Sequence, residues 1–145
     1  MKFNGTYKFH APSQRVFEAI LNPAVLKQCI PGCEAVEYAD ENHLKVTLSL
    51  PVPGLKGTYT ALLNIVQRQV PNLLVLQLQR QGRGGSIDAT AQITLADEPD
   101  GALLSYDANA EMSGPIAVAN NPVGQGVAKN SLSTFFKNLE KVLAA

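Results

Sequence analysis

Across residues 122–145, apolar side chains return every three or four positions: Val123, Val127, Ala128, Leu132, Phe135, Phe136, Leu139, Val142 and Leu143. Lys129, Asn130, Ser133, Lys137, Asn138 and Lys141 fill the other side. That period predicts one long amphipathic helix. At 1.5 Å per residue it would be about 30 Å long. This matches the width of a curved sheet of about six strands spaced about 4.8 Å apart. A sheet gripping such a helix leaves a cleft between the two, and function is expected there.

Upstream, the dominant period is two. Phe3, Gly5, Tyr7 and Phe9 alternate with Asn4, Thr6, Lys8 and His10, which predicts a strand over 3–10. Ala11-Pro12-Ser13 breaks it, and Ser13 is the expected N-cap of a short helix carrying Val16, Phe17, Ile20 and Leu21. Asn22-Pro23 ends that helix, because a residue before proline is pushed out of the α region. A second short helix is expected over 24–30, closed by Pro31-Gly32.

Strands are then predicted over 34–38, 44–50, 57–67, 73–80, 86–95 and 103–112. Short gaps rich in Gly, Pro, Asn and Asp separate them, so the sheet is expected to be antiparallel. One set of alternate positions is apolar: Leu44, Val46, Leu48; Tyr59, Ala61, Leu63, Ile65; Leu74, Leu76, Leu78; Ile87, Ala89, Ala91, Ile93; Leu104, Tyr106, Ala108, Ala110, Met112. The expected class is α+β, one domain over 1–145, with helices covering one face of an antiparallel sheet.

Charge narrows the function. Twelve Lys and Arg balance twelve Asp and Glu, so the basic excess of a nucleic-acid binder is missing. No run approaches the roughly 18 apolar residues of a membrane-spanning helix. The opening Met-Lys-Phe-Asn-Gly-Thr-Tyr alternates instead of running apolar, so no secretory leader is expected. Cys29 and Cys33 are the only cysteines, and a reducing cytoplasm is the expected compartment.

At this point the chain resembles the carbon monoxide dehydrogenase G-subunit family, within the START-like (SRPBCC) helix-grip superfamily. The residues that carry the resemblance are Phe9-His10-Ala11-Pro12 with Val16-Phe17, Asn22-Pro23 with Leu26, and Cys29-Ile30-Pro31-Gly32-Cys33-Glu34. Gly57, the stretch from Gly82 to Gly85, and Phe135-Phe136-Lys137-Asn138-Leu139 continue it. The resemblance implies a curved antiparallel sheet wrapped around a long C-terminal helix, with two short helices after the first strand. It also implies a non-catalytic accessory role beside a molybdenum-containing hydroxylase. Relatives that work beside carbon monoxide dehydrogenase usually carry a membrane-associating tail after this helix. The present sequence ends at Ala145, so anchoring by such a tail is not expected, although peripheral membrane contact remains compatible.

Catalytic chemistry is sparse. His10 and His43 are the only histidines, expected to be solvated and with no obvious Asp or Ser partner by sequence, although a triad is a spatial arrangement that sequence alone does not test. Cys29 and Cys33 flank a Pro-Gly turn and are expected to be small corner residues, since zinc would need about four ligands. Gly82-Arg83-Gly84-Gly85 lacks the following helix of a phosphate loop and reads as a hairpin. The Pro51-Val52-Pro53-Gly54-Leu55 loop is either a gate over the cleft or a segment folded onto the core.

The alanines are more informative. Ala61, Ala89, Ala91, Ala108 and Ala110 all lie on the inward face, opposite Gly124 and Ala128 of the helix. If Phe135, Phe136 and Tyr106 hold the helix away, an apolar pocket remains. The expected ligand-binding residues are Leu48, Tyr59, Leu63, Leu76, Ala89, Ala91, Tyr106, Ala108, Ala128, Leu132 and Phe135, with no catalytic residue, metal or cofactor. The expected ligand is an apolar small molecule, a lipid or a quinone. The alternative is a small START-like enzyme of the polyketide cyclase/hydrolase type.

Overall fold

A computed structural model describes residues 2–49, 58–80, 85–114, 117 and 122–144. The element order is β1 (Lys2–Phe9), α1 (Ser13–Ile20), α2 (Pro23–Cys29), β2 (Cys33–Asp40), β3 (His43–Ser49), β4 (Thr58–Gln69), β5 (Leu73–Arg80), β6 (Ser86–Glu98), β7 (Gly101–Ser113) and α3 (Pro122–Ala144). All strand pairs are antiparallel, and the sheet order is β1-β7-β6-β5-β4-β3-β2. The sheet thus has seven strands where the helix length suggested about six. The difference is β2, whose side chains are mostly exposed, so it extends the edge without widening the buried face.

The register lines up the apolar alternates across the sheet. Leu63 pairs with Leu78 and Leu78 with Ala89, which pairs with Ala110. Ile65 pairs with Leu76, Leu76 with Ala91, and Ala91 with Ala108. A one-residue slip would turn every one of these to the wrong face, so the pattern itself selects the pairing.

The N-terminus of α1 departs from the expected cap. Pro12 takes the cap position and provides no side-chain hydrogen bond. Ser13 is the first helical residue, is buried, and its amide donates to Asp97 Oδ1 at 2.9 Å. A carboxylate from β6 therefore does what a Ser hydroxyl was expected to do, and its charge suits the positive end of the helix. Asn22 caps α2 locally, accepting from the amides of Ala24 (3.0 Å) and Val25 (3.5 Å). Gly32 then turns the chain at φ 77°, where a Cβ would lie 2.5 Å from the Ser49 carbonyl oxygen. Only glycine fits that approach.

The core gathers Phe9, Val16, Phe17, Ile20, Leu26, Cys29, Leu44, Ile65, Leu74, Leu95, Leu104, Phe136, Leu139 and Leu143. Three ties fasten α3 to this end. Arg15 donates to the Leu143 carbonyl at 2.9 Å, Asn138 to the Cys29 carbonyl at 3.0 Å, and His10 to Glu140.

Candidate functional site

The inner face of the sheet changes character along its strands. At the end reached by α1, α2 and the last turns of α3, Leu44, Val46, Ile65, Leu74, Leu95 and Leu104 are buried. Toward the other end the same face stays apolar but is only half-buried, at Leu76, Leu78, Ile87, Ala89, Ala91, Ala108, Ala110 and Met112. Helix α3 follows the same gradient. Phe136, Leu139 and Leu143 are buried, whereas Ala128, Leu132 and Phe135 are half-buried.

An aromatic group stands at the boundary. The Phe136 ring lies 5.3 Å from Tyr7, 5.4 Å from Tyr106, 5.6 Å from Phe135 and 6.2 Å from Phe9, measured between centroids. Rings at these separations are in good contact, so they bridge α3 to β1 and β7. Gly5 makes room for one of them: a Cβ there would stand 2.9 Å from the Tyr106 hydroxyl. Beyond this aromatic bridge β6 and β7 set methyl groups against each other, with Ala91 opposite Ala108 and Ala89 opposite Ala110.

All of the sequence-predicted ligand residues fall on this half-buried surface. Leu63, Leu76, Tyr106, Leu132 and Phe135 pack against the core, while Leu48, Tyr59, Ala89, Ala91, Ala108 and Ala128 lie at intermediate exposure beyond it. Two neighbours join them: Arg80, which the sequence placed leaning inward as a polar candidate of the enzyme reading, and Phe3, which it left out of the ligand set. Arg80 sits over the Tyr59 ring, its guanidinium carbon 4.7 Å from the centroid, and donates to the Gly85 carbonyl at 2.6 Å. Phe3 pairs with Ala108 and joins the same surface from β1. The alternation of β1 already placed Phe3 with Tyr7 and Phe9, so that signal was present in the sequence.

Each histidine has a carboxylate partner that was not obvious in the sequence. His10 Nδ1 is 2.8 Å from Glu140 Oε1, and His43 Nδ1 is 2.6 Å from Asp40 Oδ1. Glu140 is 130 residues from His10 in sequence, so only the tertiary fold could pair them. Both imidazoles are well exposed, and neither lies on the apolar surface.

Cys29 and Cys33 are free thiols, one buried and the other half-buried. Burial raises the pKa of both, which disfavours the thiolate that metal binding or redox attack requires. Among the described residues no group of three His, Cys, Asp or Glu side chains is placed to hold a metal ion. The Pro51–Leu55 loop, the Gly82–Gly84 segment, Gly57 and the side chains of Val123, Gly124 and Val127 lie outside the described residues.

A seven-stranded antiparallel sheet, two short helices after its first strand and a long C-terminal helix define a START-like fold. A START superfamily protein from Mycobacterium smegmatis superposes with a TM-score of 0.72 at 17% identity, over 99% of this chain and 97% of that one. A conserved protein from Geobacillus kaustophilus gives a TM-score of 0.89 at 28% identity, over 99% and 95% of the two chains. A Chromobacterium violaceum protein gives 0.79 at 18% identity, over 99% and 97%. A comparison with curated proteins gives no match. The sequence matches the family model for the carbon monoxide dehydrogenase G-subunit (CoxG) over residues 5–144, and the chain belongs to that family. Among the described residues no helix is long and apolar enough to cross a membrane.

Proposed function

We propose that this chain is a non-catalytic accessory protein that holds an apolar ligand, a lipid or a quinone, between its sheet and α3 while assisting a molybdenum-containing hydroxylase. In this reading the sheet curves around α3 as a helix-grip, and the ligand lies on the alanine rows of β6 and β7 beneath Leu132 and Phe135. The cytoplasm is the proposed compartment. Family membership supports the accessory role and the choice of partner. One observation carries the ligand reading: the apolar inner face is dry at one end and half-exposed at the other, where the side chains are smallest. Folded proteins bury such surfaces unless something else covers them.

The competing reading is a START-like enzyme of the polyketide cyclase/hydrolase type. That chemistry calls for an acid or base titrating near neutral pH beside the ligand. The described inner face presents Tyr7, Tyr59, Tyr106 and Arg80, with neither carboxylate nor imidazole. Burial, helped by the charge of Glu140, raises the Tyr7 pKa and moves it further from neutrality.

Native mass spectrometry of gently purified protein tests the proposal. A co-purifying mass in the lipid or quinone range is expected. A bare chain that also takes up no apolar dye would overturn it.

A further inference from the structure

Between the start of β1 and the middle of α3 lies a recess of about 400 Å³, lined by Lys2, Phe3, Asn4, Tyr106, Lys129 and Leu132. Tyr106 and Leu132 belong equally to the half-buried inner face, so the recess and the apolar surface share a wall. Phe3 leads into the same register row as Ala108 and Ala91. β1 is an edge strand, so the recess opens past the side of the sheet.

Its chemistry differs from that of the alanine rows. Lys2 and Lys129 are both among its lining residues, and no carboxylate residue is. Among the described residues neither Lys2 nor Lys129 has an ion-pair partner within 4.0 Å. The chain as a whole is neutral, so two unopposed cations at one opening do not reflect a general basic excess. Lysine stems can lie along apolar surface while their heads stay in water, which suits a mouth where an apolar body enters and a polar end remains outside. A neutral ligand would leave both ammoniums unused.

We propose that this recess is the headgroup subsite of the cleft, and that the ligand is a single-chain amphiphile with an anionic head, carboxylate or phosphate. The inference rests on the apolar-ligand reading above and specifies the chemistry of the ligand's polar end. The head lies between Lys2 and Lys129, and the chain runs over Tyr106 and Leu132 toward Ala91 and Ala108.

The test titrates the full chain with oleate, oleyl phosphate and oleyl alcohol below their micellar concentrations, following displacement of an apolar dye. An exposed ion pair is worth up to about 1 kcal/mol, or about fivefold in affinity, so two should favour an anion over the alcohol by up to about 25-fold. Comparing the two anions distinguishes a carboxylate from a phosphate source, and preference for either over the alcohol supports the proposal. Lys2→Gln with Lys129→Gln should abolish the preference and leave alcohol binding unchanged. Lys141→Gln, on another part of α3, should change neither. Equal affinity for anions and alcohol, or a preference that survives the double variant, would overturn the headgroup subsite while leaving the apolar cleft standing. Failure of all three probes to bind would remove both. Both lysines are exposed, so folding is not at stake, and unchanged melting confirms it.

Discussion

The buried amide of Ser13 donates to Asp97 Oδ1, and through that bond the first turn of α1 is tied to β6. Asp97→Ala should cost about 1–2 kcal/mol, the usual loss for a helix cap, read from urea unfolding. Asp97→Asn keeps an acceptor oxygen and should lose less. Two exposed aspartates contribute to the acid behaviour. A hydrogen bond from His43 lowers the Asp40 pKa, and one from Lys8 lowers that of Asp100, both from 3.8. A lowered folded-state value means the carboxylate stabilises the fold above the unfolded pKa and stops doing so as pH falls through the folded one. Melting temperature should therefore decline below about pH 4, and the Asp40→Asn, Asp100→Asn double variant should decline less steeply. An unchanged slope in that variant would show that other carboxylates govern acid unfolding. None of these pairings was readable in advance, because a side chain's partner across a turn or sheet depends on geometry that sequence spacing does not encode.

Helix α3 joins two regimes, and substitutions along it should separate them. Phe136 is buried among Tyr7, Phe9 and Tyr106, so Phe136→Ala should cost about 3–5 kcal/mol in denaturant unfolding. Across from the helix, Ala108→Leu adds three heavy atoms to the half-exposed alanine row. Overfilling a packed core costs about 1–3 kcal/mol, whereas filling open apolar space costs little. The expected result is a melting temperature near wild type with loss of apolar-dye uptake. A large destabilisation would place Ala108 in a tightly packed interior and withdraw the ligand reading there. The helix was legible because its apolar stripe persists over about six turns. The two short helices were legible from Asn22-Pro23 and Pro31-Gly32, where proline and glycine act locally. The cap of α1 was not, since its acceptor comes from β6.

Over the molecule, the dry and half-exposed ends of the sheet should differ in local stability. Amides near Leu44, Leu74, Leu95 and Leu104 sit over buried side chains and should exchange hydrogen most slowly. Those around Ala89–Ala91 and Ala108–Ala110 should exchange faster and gain protection when an apolar ligand is added, because a ligand that binds only the folded state suppresses opening. Uniform exchange along β6 and β7, unaltered by ligand, would contradict a division of the sheet into core and site.

Periodicity determined the sheet's inward residues, because a period of two leaves each side chain only two faces and burial selects one. It also determined the order of elements and the small residues on β6 and β7. The residue pattern that placed Leu44 inward placed Leu48 and Ala108 inward as well, with nothing to tell a sealed position from an open one. That distinction depends on where α1, α2 and the aromatic bridge of Phe136 stop covering the sheet. The pairing of His10 with Glu140 and the placing of Lys2 and Lys129 on one recess were likewise decided only by the fold. Each joins the first strand to the last helix, and proximity across such a chain length arises from packing, not from any local preference of the residues involved.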